Sequence, residues 1–176
     1  MIIYFVRHAS AGEHLTNPKK DEKRPLDSDG IEQCGFVGRA LAALNVQPEL
    51  IVSSPLKRAT QTAALIANEI GYEGELELEP ALRPEASFAD FRRLLDKYAK
   101  QEAVMVVGHN PSITDFLSRM ISQSAGEALI DFKKGAVARA ETARRSATLN
   151  WLLTPKMARA IQAAAAEKSQ PKTSRK

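Results

Sequence analysis

Three short runs of apolar residues constrain the fold of this chain more than any other feature. They cover residues 2–6, 50–53 and 103–107, and none of them alternates apolar with polar residues. Uninterrupted runs of this length are typical of strands that are covered on both faces. Helix-like segments separate the three runs. Strands that alternate with helices predict an α/β fold, with three layers (α/β/α) and a mostly parallel, mixed sheet.

The segments between the runs carry helix, hairpin and loop signals. Helices are predicted over residues 29–44, 55–70, 88–98, 112–121 and 157–166. Ser28 and Ser87 are the expected N-caps of the first and third helices. A short strand is predicted over residues 76–78, and an antiparallel hairpin over 136–142 and 146–153. Loops are predicted over residues 9–27 and 80–84.

Length and charge indicate one domain with a short extension. A chain of 176 residues is long enough for one domain with a sizeable core. We expect residues 1–155 to form that domain, residues 156–167 a C-terminal helix, and residues 168–176 a disordered basic tail. The net charge is +4, but the tail holds four cations and no acid, so the domain itself is close to neutral. We therefore expect no nucleic-acid partner. The basic tail is expected only to increase solubility, and the alternative is that it binds nucleic acid or an acidic partner.

Cysteine content and hydropathy indicate the compartment. The single cysteine, Cys34, excludes an internal disulfide and suits a reducing environment. The apolar run at the start is too short for a signal peptide, and no segment approaches the ~20 apolar residues of a membrane span. We therefore expect a cytoplasmic protein, a monomer with no membrane partner.

Polar residues suited to chemistry follow each of the three predicted strands. Arg7 and His8 follow the first strand, and His109 and Asn110 follow the third. Arg58 lies in the first turns of the helix after the second strand. Ligands of α/β proteins gather at the carboxyl ends of the strands, so these side chains are expected to converge on one pocket.

These residue types suit a phosphoryl group. Arginine presents a rigid fork of hydrogen-bond donors and stays charged, so Arg7 and Arg58 suit the oxygens of a phosphoryl group. A neutral imidazole is a competent nucleophile, and a second imidazole can donate a hydrogen bond to the developing charge, so His8 and His109 can divide those roles. The helix that opens after Asn110 adds backbone amides to the same pocket.

Two sets of motifs, taken together, resemble a known family. The chain contains VRHA, SSPLKRATQTA and VVGHNP at the three strand ends, a combination that resembles the histidine phosphatase superfamily. KRPLDSDG and the stretch from KKGAVARAE to WLLTP are similar to its small phosphohistidine phosphatase branch. The resemblance implies a phosphoglycerate mutase-like fold and no metal or other cofactor. It implies that His8 forms a phosphohistidine intermediate while Arg7, Arg58 and His109 bind the phosphate.

The proton donor to the leaving group is open among three carboxylates. Glu85 lies in the loop after the short third strand, where larger members of the family keep an acid; Asp90 and Glu13 are the alternatives. An alkoxide leaving group needs a proton, whereas a phosphohistidine releases neutral imidazole once its other ring nitrogen is protonated. A weak acid motif therefore favours a phosphorus–nitrogen substrate.

The expected function is a phosphatase that acts on phosphohistidine in a phosphorelay or phosphotransfer protein. The first alternative is a small-molecule or general phosphomonoesterase with the same site, and the second is a phosphate-binding module without turnover. A cysteine phosphatase is disfavoured because Arg39 is five residues after Cys34 rather than six. A metal site is disfavoured because His8, His14 and His109 lack the close spacing of metal ligands.

Overall fold

The structure, a computed structural model, describes residues 1–122, 128–143 and 146–169. The strands in these ranges are β1 (Ile2–Arg7), β2 (Leu50–Ser53), β3 (Leu76–Leu78), β4 (Ala103–Gly108), β5 (Val137–Ala143) and β6 (Ser146–Leu153). The α-helices are α1 (Pro18–Glu22), α2 (Ser28–Ala43), α3 (Lys57–Glu69), α4 (Phe88–Lys97), α5 (Ser112–Ile121) and α6 (Pro155–Ser169). The predicted α/β class is confirmed.

One mixed sheet runs through the molecule in the strand order β3-β2-β4-β1-β5-β6. The pairs β3–β2, β2–β4 and β4–β1 are parallel, whereas β5 is antiparallel to both β1 and β6. The three long apolar runs therefore lie side by side as β2, β4 and β1 in the middle of the sheet. Their carboxyl ends meet at one edge, as the sequence predicts.

Helices cover both faces of this sheet. Successive strand residues point to opposite sides, so an unbroken apolar strand has apolar side chains on both faces that must be covered. On one face Ile3 and Phe5 of β1 pack with α4 and α5, where the rings of Phe91 and Phe116 stack with centroids 4.6 Å apart. On the other face Tyr4 and Val6 pack with residues of α2, α3 and α6. The helix after β1 thus lies on the face opposite the helix after β4, which opens a crevice between the ends of these neighbouring strands.

Several element boundaries differ from the sequence prediction. The 9–27 segment is not loop throughout, because it contains the one-turn helix α1, which Asn17 caps. The cap of α2 is Asp27 and not Ser28, because the Asp27 carboxylate accepts the Gly30 N–H. A 3₁₀ turn spans Pro80–Leu82 within the predicted loop.

The C-terminal helix is also longer than predicted. It begins at Pro155 and extends through Ser169, so the first two residues of the expected tail are helical. The rest of that tail, residues 170–176, lies outside the described residues, as do the hairpin-turn residues Arg144 and Arg145. Within the ranges that are described, no helix is long and apolar enough to cross a membrane.

Cys34 lies in the core, as its position on the apolar face of α2 predicts. It is buried in a small cluster with Ala9, Ala11 and Leu26. Burial raises the pKa of the thiol to about 12, so the thiolate that a cysteine nucleophile requires does not form near neutral pH.

Candidate active site

The ends of β1, β2 and β4 bring the predicted residues together through backbone pairing. Arg7 pairs with Gly108 in the β1–β4 register, and the next N–H along the chain, that of His8, donates to the Gly108 carbonyl over 3.0 Å. The Ser54 N–H donates to the Val107 carbonyl over 2.9 Å. The residue after each strand is therefore fixed relative to the others by main-chain hydrogen bonds, which side-chain changes leave intact.

His8 is held in one tautomer. Its Nδ1 lies 2.7 Å from the carbonyl oxygen of Ala9. Because a carbonyl only accepts, Nδ1 carries the proton and Nε2 carries the free electron pair. Burial lowers the pKa of His8 to about 4, and the positive charges of Arg58 and Arg7 add to the effect. The imidazole is therefore neutral, and nucleophilic at Nε2, at physiological pH.

His109 lies against His8, with ring centroids 4.8 Å apart. Its Nε2 lies 2.8 Å from the hydroxyl oxygen of Ser54, while its Nδ1 is buried and has no partner in the described part of the protein. Burial lowers the pKa of His109 well below its usual range, and the neighbouring His8 and Arg58 lower it further. A buried nitrogen without a partner next to a nucleophile is suited to an incoming polar group.

Arg58 is anchored by a carboxylate that the sequence did not single out. Its Nη1 donates to the main-chain oxygen of Asp21 over 2.9 Å and to Oδ2 of the same residue over 3.2 Å, and both side chains are buried. Burial alone would raise the pKa of Asp21, but hydrogen bonds from Leu15, His14 and Arg24 lower it well below its usual range. Asp21 is therefore ionised, and Nε of Arg58 is buried with no partner in the part of the chain that the structure describes.

Arg7, the last residue of β1, directs part of its guanidinium to a neighbouring carbonyl group. Its Nη1 donates to the Phe132 carbonyl over 2.8 Å, and its Nε is buried without a partner in the described residues. Its charge still contributes to the lowered pKa of His8. Arg7 is thus close enough to act on His8 electrostatically.

One cleft of about 610 Å³ contains most of the predicted site. Its lining includes His8, Arg58, His109, Asn110 and Glu85, but not Arg7. It also includes cations that the sequence analysis missed: Arg24, Arg83 and Lys134. With Arg58 the lining carries four cations, and it also carries three carboxylates, those of Asp21, Glu22 and Glu85, so a net positive charge remains beside the two neutral imidazoles. A cleft of this charge suits an anion.

The predicted secondary residues are already engaged. The Asn110 amide nitrogen donates to the Phe132 carbonyl over 3.4 Å, and its oxygen accepts from the Thr114 hydroxyl over 2.7 Å. Glu85 accepts from Nε of Arg83 over 2.8 Å. Arg83 also contacts Glu22 of α1, which joins the two sides of the cleft at its rim.

The two other candidate acids lie outside the cleft. Asp90 forms a capping box with Ser87 at the start of α4 and pairs with Arg93. Glu13 is exposed on the 9–27 segment. Within the described ranges, no group of three or more His, Cys, Asp or Glu side chains is arranged to hold a metal ion.

The missed residues share one property: each lies in a segment outside the three strand ends on which the prediction is based. Arg24 and Asp21 come from the charged part of the 9–27 segment, and Arg83 and Lys134 from loops after β3 and before β5. Of these residues only Arg24 could have been found from the sequence, because it is part of the KRPLDSDG motif. No local pattern distinguishes the other charges from solvated surface charges.

Comparisons with known proteins agree with this geometry. A family model of the histidine phosphatase superfamily (branch 1) matches residues 3–103. An uncharacterized protein of Picosynechococcus is 29% identical over 140 residues, which cover 78% of this chain and 82% of that protein. The mitochondrial serine/threonine-protein phosphatase Pgam5 of Drosophila persimilis is 28% identical over 148 residues, which cover 68% of this chain but only 50% of the fly protein.

Solved structures share the fold. The protein histidine phosphatase SixA in complex with tungstate superimposes with a TM-score of 0.79 at 23% identity, covering 89% of this chain and 98% of SixA. A phosphoglycerate mutase from Bacillus anthracis superimposes with a TM-score of 0.69 at 14% identity, covering 90% of this chain and 95% of the mutase. The three-layer, phosphoglycerate mutase-like architecture is therefore confirmed.

Proposed function

We propose that this chain, which belongs to the histidine phosphatase superfamily, is a phosphatase in which His8 is the nucleophile. The observation that carries the proposal is the Nδ1 contact of His8 with the Ala9 carbonyl, which leaves an electron pair on Nε2 in a cationic cleft. SixA, whose fold this chain shares, was solved with tungstate, a tetrahedral oxyanion similar in shape to phosphate.

In the first step, Nε2 of His8 attacks the phosphorus of the substrate. The new N–P bond forms as the bond from phosphorus to the leaving atom breaks, and the electron pair of that bond leaves with the leaving group. Charge on the three equatorial oxygens requires nearby donors. We assign this role to Arg58 and His109, each of which has a buried nitrogen with no partner among the described residues.

In the second step, water attacks the phosphohistidine. A P–O bond forms, the N–P bond breaks, and the electron pair returns to Nε2 of His8. The positive charges of Arg58 and Arg7 favour the neutral over the protonated imidazole, which makes His8 a good leaving group in this step. Inorganic phosphate is released, and the enzyme returns to its starting state.

The substrate we propose is phosphohistidine on a phosphorelay or phosphotransfer protein. The only carboxylate of the three candidate acids that lines the cleft, Glu85, is paired with Arg83 and largely exposed. Ester hydrolysis depends on an acid more strongly than phosphohistidine hydrolysis does. The fold shared with SixA, described as a protein histidine phosphatase, supports the same choice.

A comparison of two substrates tests this preference. We expect a histidine-phosphorylated phosphotransfer protein to be hydrolysed with a higher kcat/KM than phenyl phosphate. Glu85→Gln should reduce kcat/KM by less than about threefold on the phosphoprotein, because its leaving imidazole needs no acid. A wild-type preference for the ester, together with a large loss on both substrates in Glu85→Gln, would contradict the assignment.

A general phosphomonoesterase is the second candidate, because Glu85 does line the cleft. Under that reading Glu85→Gln lowers ester hydrolysis strongly. A phosphate-binding module without turnover is a third candidate. In that case the wild-type protein would show no phosphatase activity, and His8→Ala would bind phosphate as tightly as wild type.

We also propose that the reaction requires no metal. Arg24, Arg58, Arg83 and Lys134 line the cleft and supply the positive charge that a metal ion supplies in other phosphatases. Activity should therefore be unchanged after dialysis against a chelator. Loss of activity that is restored by a divalent cation would refute this.

A further inference from the structure

A third histidine lines the same cleft and is held by the carboxylate that anchors Arg58. His14 lies on the 9–27 segment, with 78% of its side chain exposed. Its Nδ1 lies 2.8 Å from Oδ1 of Asp21. Sequence analysis considered His14 only as a metal ligand, which it is not placed to be.

Asp21 fixes both the orientation and the tautomer of this imidazole. The Asp21 carboxylate accepts hydrogen bonds from the Leu15 N–H over 3.0 Å and from Nε of Arg24 over 2.8 Å. A carboxylate held by these donors remains ionised, so Nδ1 of His14 carries the proton that faces it. The proton-exchanging nitrogen, Nε2, is then on the far side of the ring. A carboxylate that orients an imidazole in this way is a recurrent arrangement in acid–base catalysis.

The position of His14 relative to the phosphate follows from the same carboxylate. Oδ1 of Asp21 contacts His14, while Oδ2 contacts Nη1 of Arg58. The two side chains therefore flank one carboxylate, and both line the same cleft as His8. Because Arg58 is a proposed phosphate ligand, we expect the leaving group of a bound phosphoryl group to lie within reach of the exposed His14 ring.

We propose that His14 is the general acid–base of the reaction. This rests on the proposed function, since it assigns the proton donor for the step in which His8 attacks. With an ester as a test substrate, protonated His14 gives its Nε2 proton to the leaving oxygen as the phosphorus–oxygen bond breaks, and it becomes neutral. With the proposed phosphohistidine substrate, whose leaving imidazole needs no acid, His14 acts only on the water of the second step. As water attacks the phosphohistidine, His14 takes a proton from that water at Nε2, and the electron pair of the N–P bond returns to His8.

Glu85 is the competing donor, and its contacts are less suitable. Its Oε1 accepts a hydrogen bond from Nε of Arg83, and Arg83 also contacts Glu22, so Glu85 is held at the rim of the cleft. In His14 only Nδ1 faces a protein partner, Asp21, and Nε2 is on the far side of the ring.

A series of aryl phosphates with leaving groups of different basicity tests the proposal. A leaving group as stable as dinitrophenolate needs no proton, whereas phenolate does. We expect His14→Gln to lower kcat/KM about 100-fold on phenyl phosphate but less than about threefold on dinitrophenyl phosphate. Imidazole added to His14→Ala should restore part of the activity on phenyl phosphate, since the site is exposed.

Two variants serve as controls. Glu13 is next to His14 in the sequence but lies outside the cleft, so Glu13→Gln should leave kcat/KM unchanged on both aryl phosphates. Glu85→Gln should leave the ratio of kcat/KM on the two aryl phosphates as it is in wild type. Equal losses on both aryl phosphates in His14→Gln, or the leaving-group dependence found in Glu85→Gln instead, would overturn the proposal. Failure of the proposed function is distinguishable, because it would leave the wild-type enzyme without a phosphorylated His8 even with dinitrophenyl phosphate.

Discussion

The two walls of the cleft are held together by different forces. On the sheet wall, His8, Ser54 and His109 follow strands, and main-chain hydrogen bonds fix their spacing. On the loop wall, formed by residues 9–27, side chains fix the position. Asp21 contacts Arg58, while Asp27 accepts hydrogen bonds from Ser10, Gly12 and Gly30.

This difference separates the roles that we assign to each wall. The nucleophile and its neighbouring imidazole lie on a scaffold whose geometry does not depend on any one side chain. The arginine and the proposed acid–base depend on a single buried carboxylate. Substitutions in the loop wall should therefore alter phosphate binding and proton supply more than the main-chain position of His8.

The largest expected effect is at Arg58, which joins the two walls. Arg58→Leu should lower kcat/KM by about 1,000-fold, because it removes a donor to the phosphoryl oxygens. It should also lower the free energy of unfolding by about 3 kcal/mol, because Asp21 then loses a buried partner. Urea unfolding and steady-state kinetics measure the two effects. Arg58→Lys, which keeps the charge, is the matched control; equal stability of Arg58→Leu and wild type would show that the walls are not coupled.

The next largest effect should come from the contact between the loop wall and α2. A Cβ at position 30 would lie 2.0 Å from the Ser10 carbonyl oxygen, so Gly30→Ala must displace main chain. We expect a loss of about 3 kcal/mol in the free energy of unfolding. On the same helix Gly35→Ala meets only the flexible end of Arg39, at 3.1 Å, and should gain up to about 1 kcal/mol. Similar stabilities of the two variants would mean that the loop wall does not pack as described.

The sheet wall predicts a pH dependence of stability. The folded pKa of His8 is lowered to about 4, whereas the unfolded chain takes up a proton near its usual value of about 6.5. The contribution of the neutral histidine to stability is therefore present above that value and is lost as the pH falls toward the folded pKa. From pH 7 to pH 5 His8 should reduce the free energy of unfolding by about 2 kcal/mol. Urea unfolding in phosphate-free buffer should show a smaller change for His8→Gln; an unchanged pH dependence would contradict the burial of a neutral His8.

The smallest expected effect is at Ser54, which touches His109 but not the proposed phosphate position. Ser54→Ala removes the 2.8 Å contact with Nε2 and lets the His109 ring rotate. We expect kcat to fall about tenfold, because one hydrogen bond that orients His109 is lost, while KM stays nearly unchanged. Ser54→Thr keeps the hydroxyl and should retain more of the activity. A change in KM alone would place Ser54 in substrate binding instead.

The sequence predicted the sheet wall better than the loop wall for a physical reason. Unbroken apolar runs specify buried parallel strands, and the residues that follow such strands must meet at one edge. His8, Arg58 and His109 could therefore be placed from local patterns and strand order. Arg7 was placed at the same edge, but the contact of its Nη1 with the Phe132 carbonyl depends on a residue distant in sequence.

The loop wall could not be predicted in the same way. The pairing of Asp21 with Arg58 spans 37 residues, and nothing in the charged stretch of residues 19–24 distinguishes Asp21 from its neighbours. The cap at Asp27 was assigned to Ser28 because both residue types favour that position, and only the hydrogen bond to Gly30 decides between them. Asp90 is an alternative to Glu85 as the acid in the sequence, whereas in the structure its carboxylate forms a capping box with Ser87.

The account rests on a covalent bond between phosphorus and Nε2 of His8. Its most direct test is brief incubation of the protein with a phosphate-labelled substrate, followed by acid and base treatment of the denatured protein and mapping of the label. We predict a label that is labile in acid, stable in base, located on His8, and missing from His8→Ala. A label on another residue, or full turnover by His8→Ala, would contradict the account.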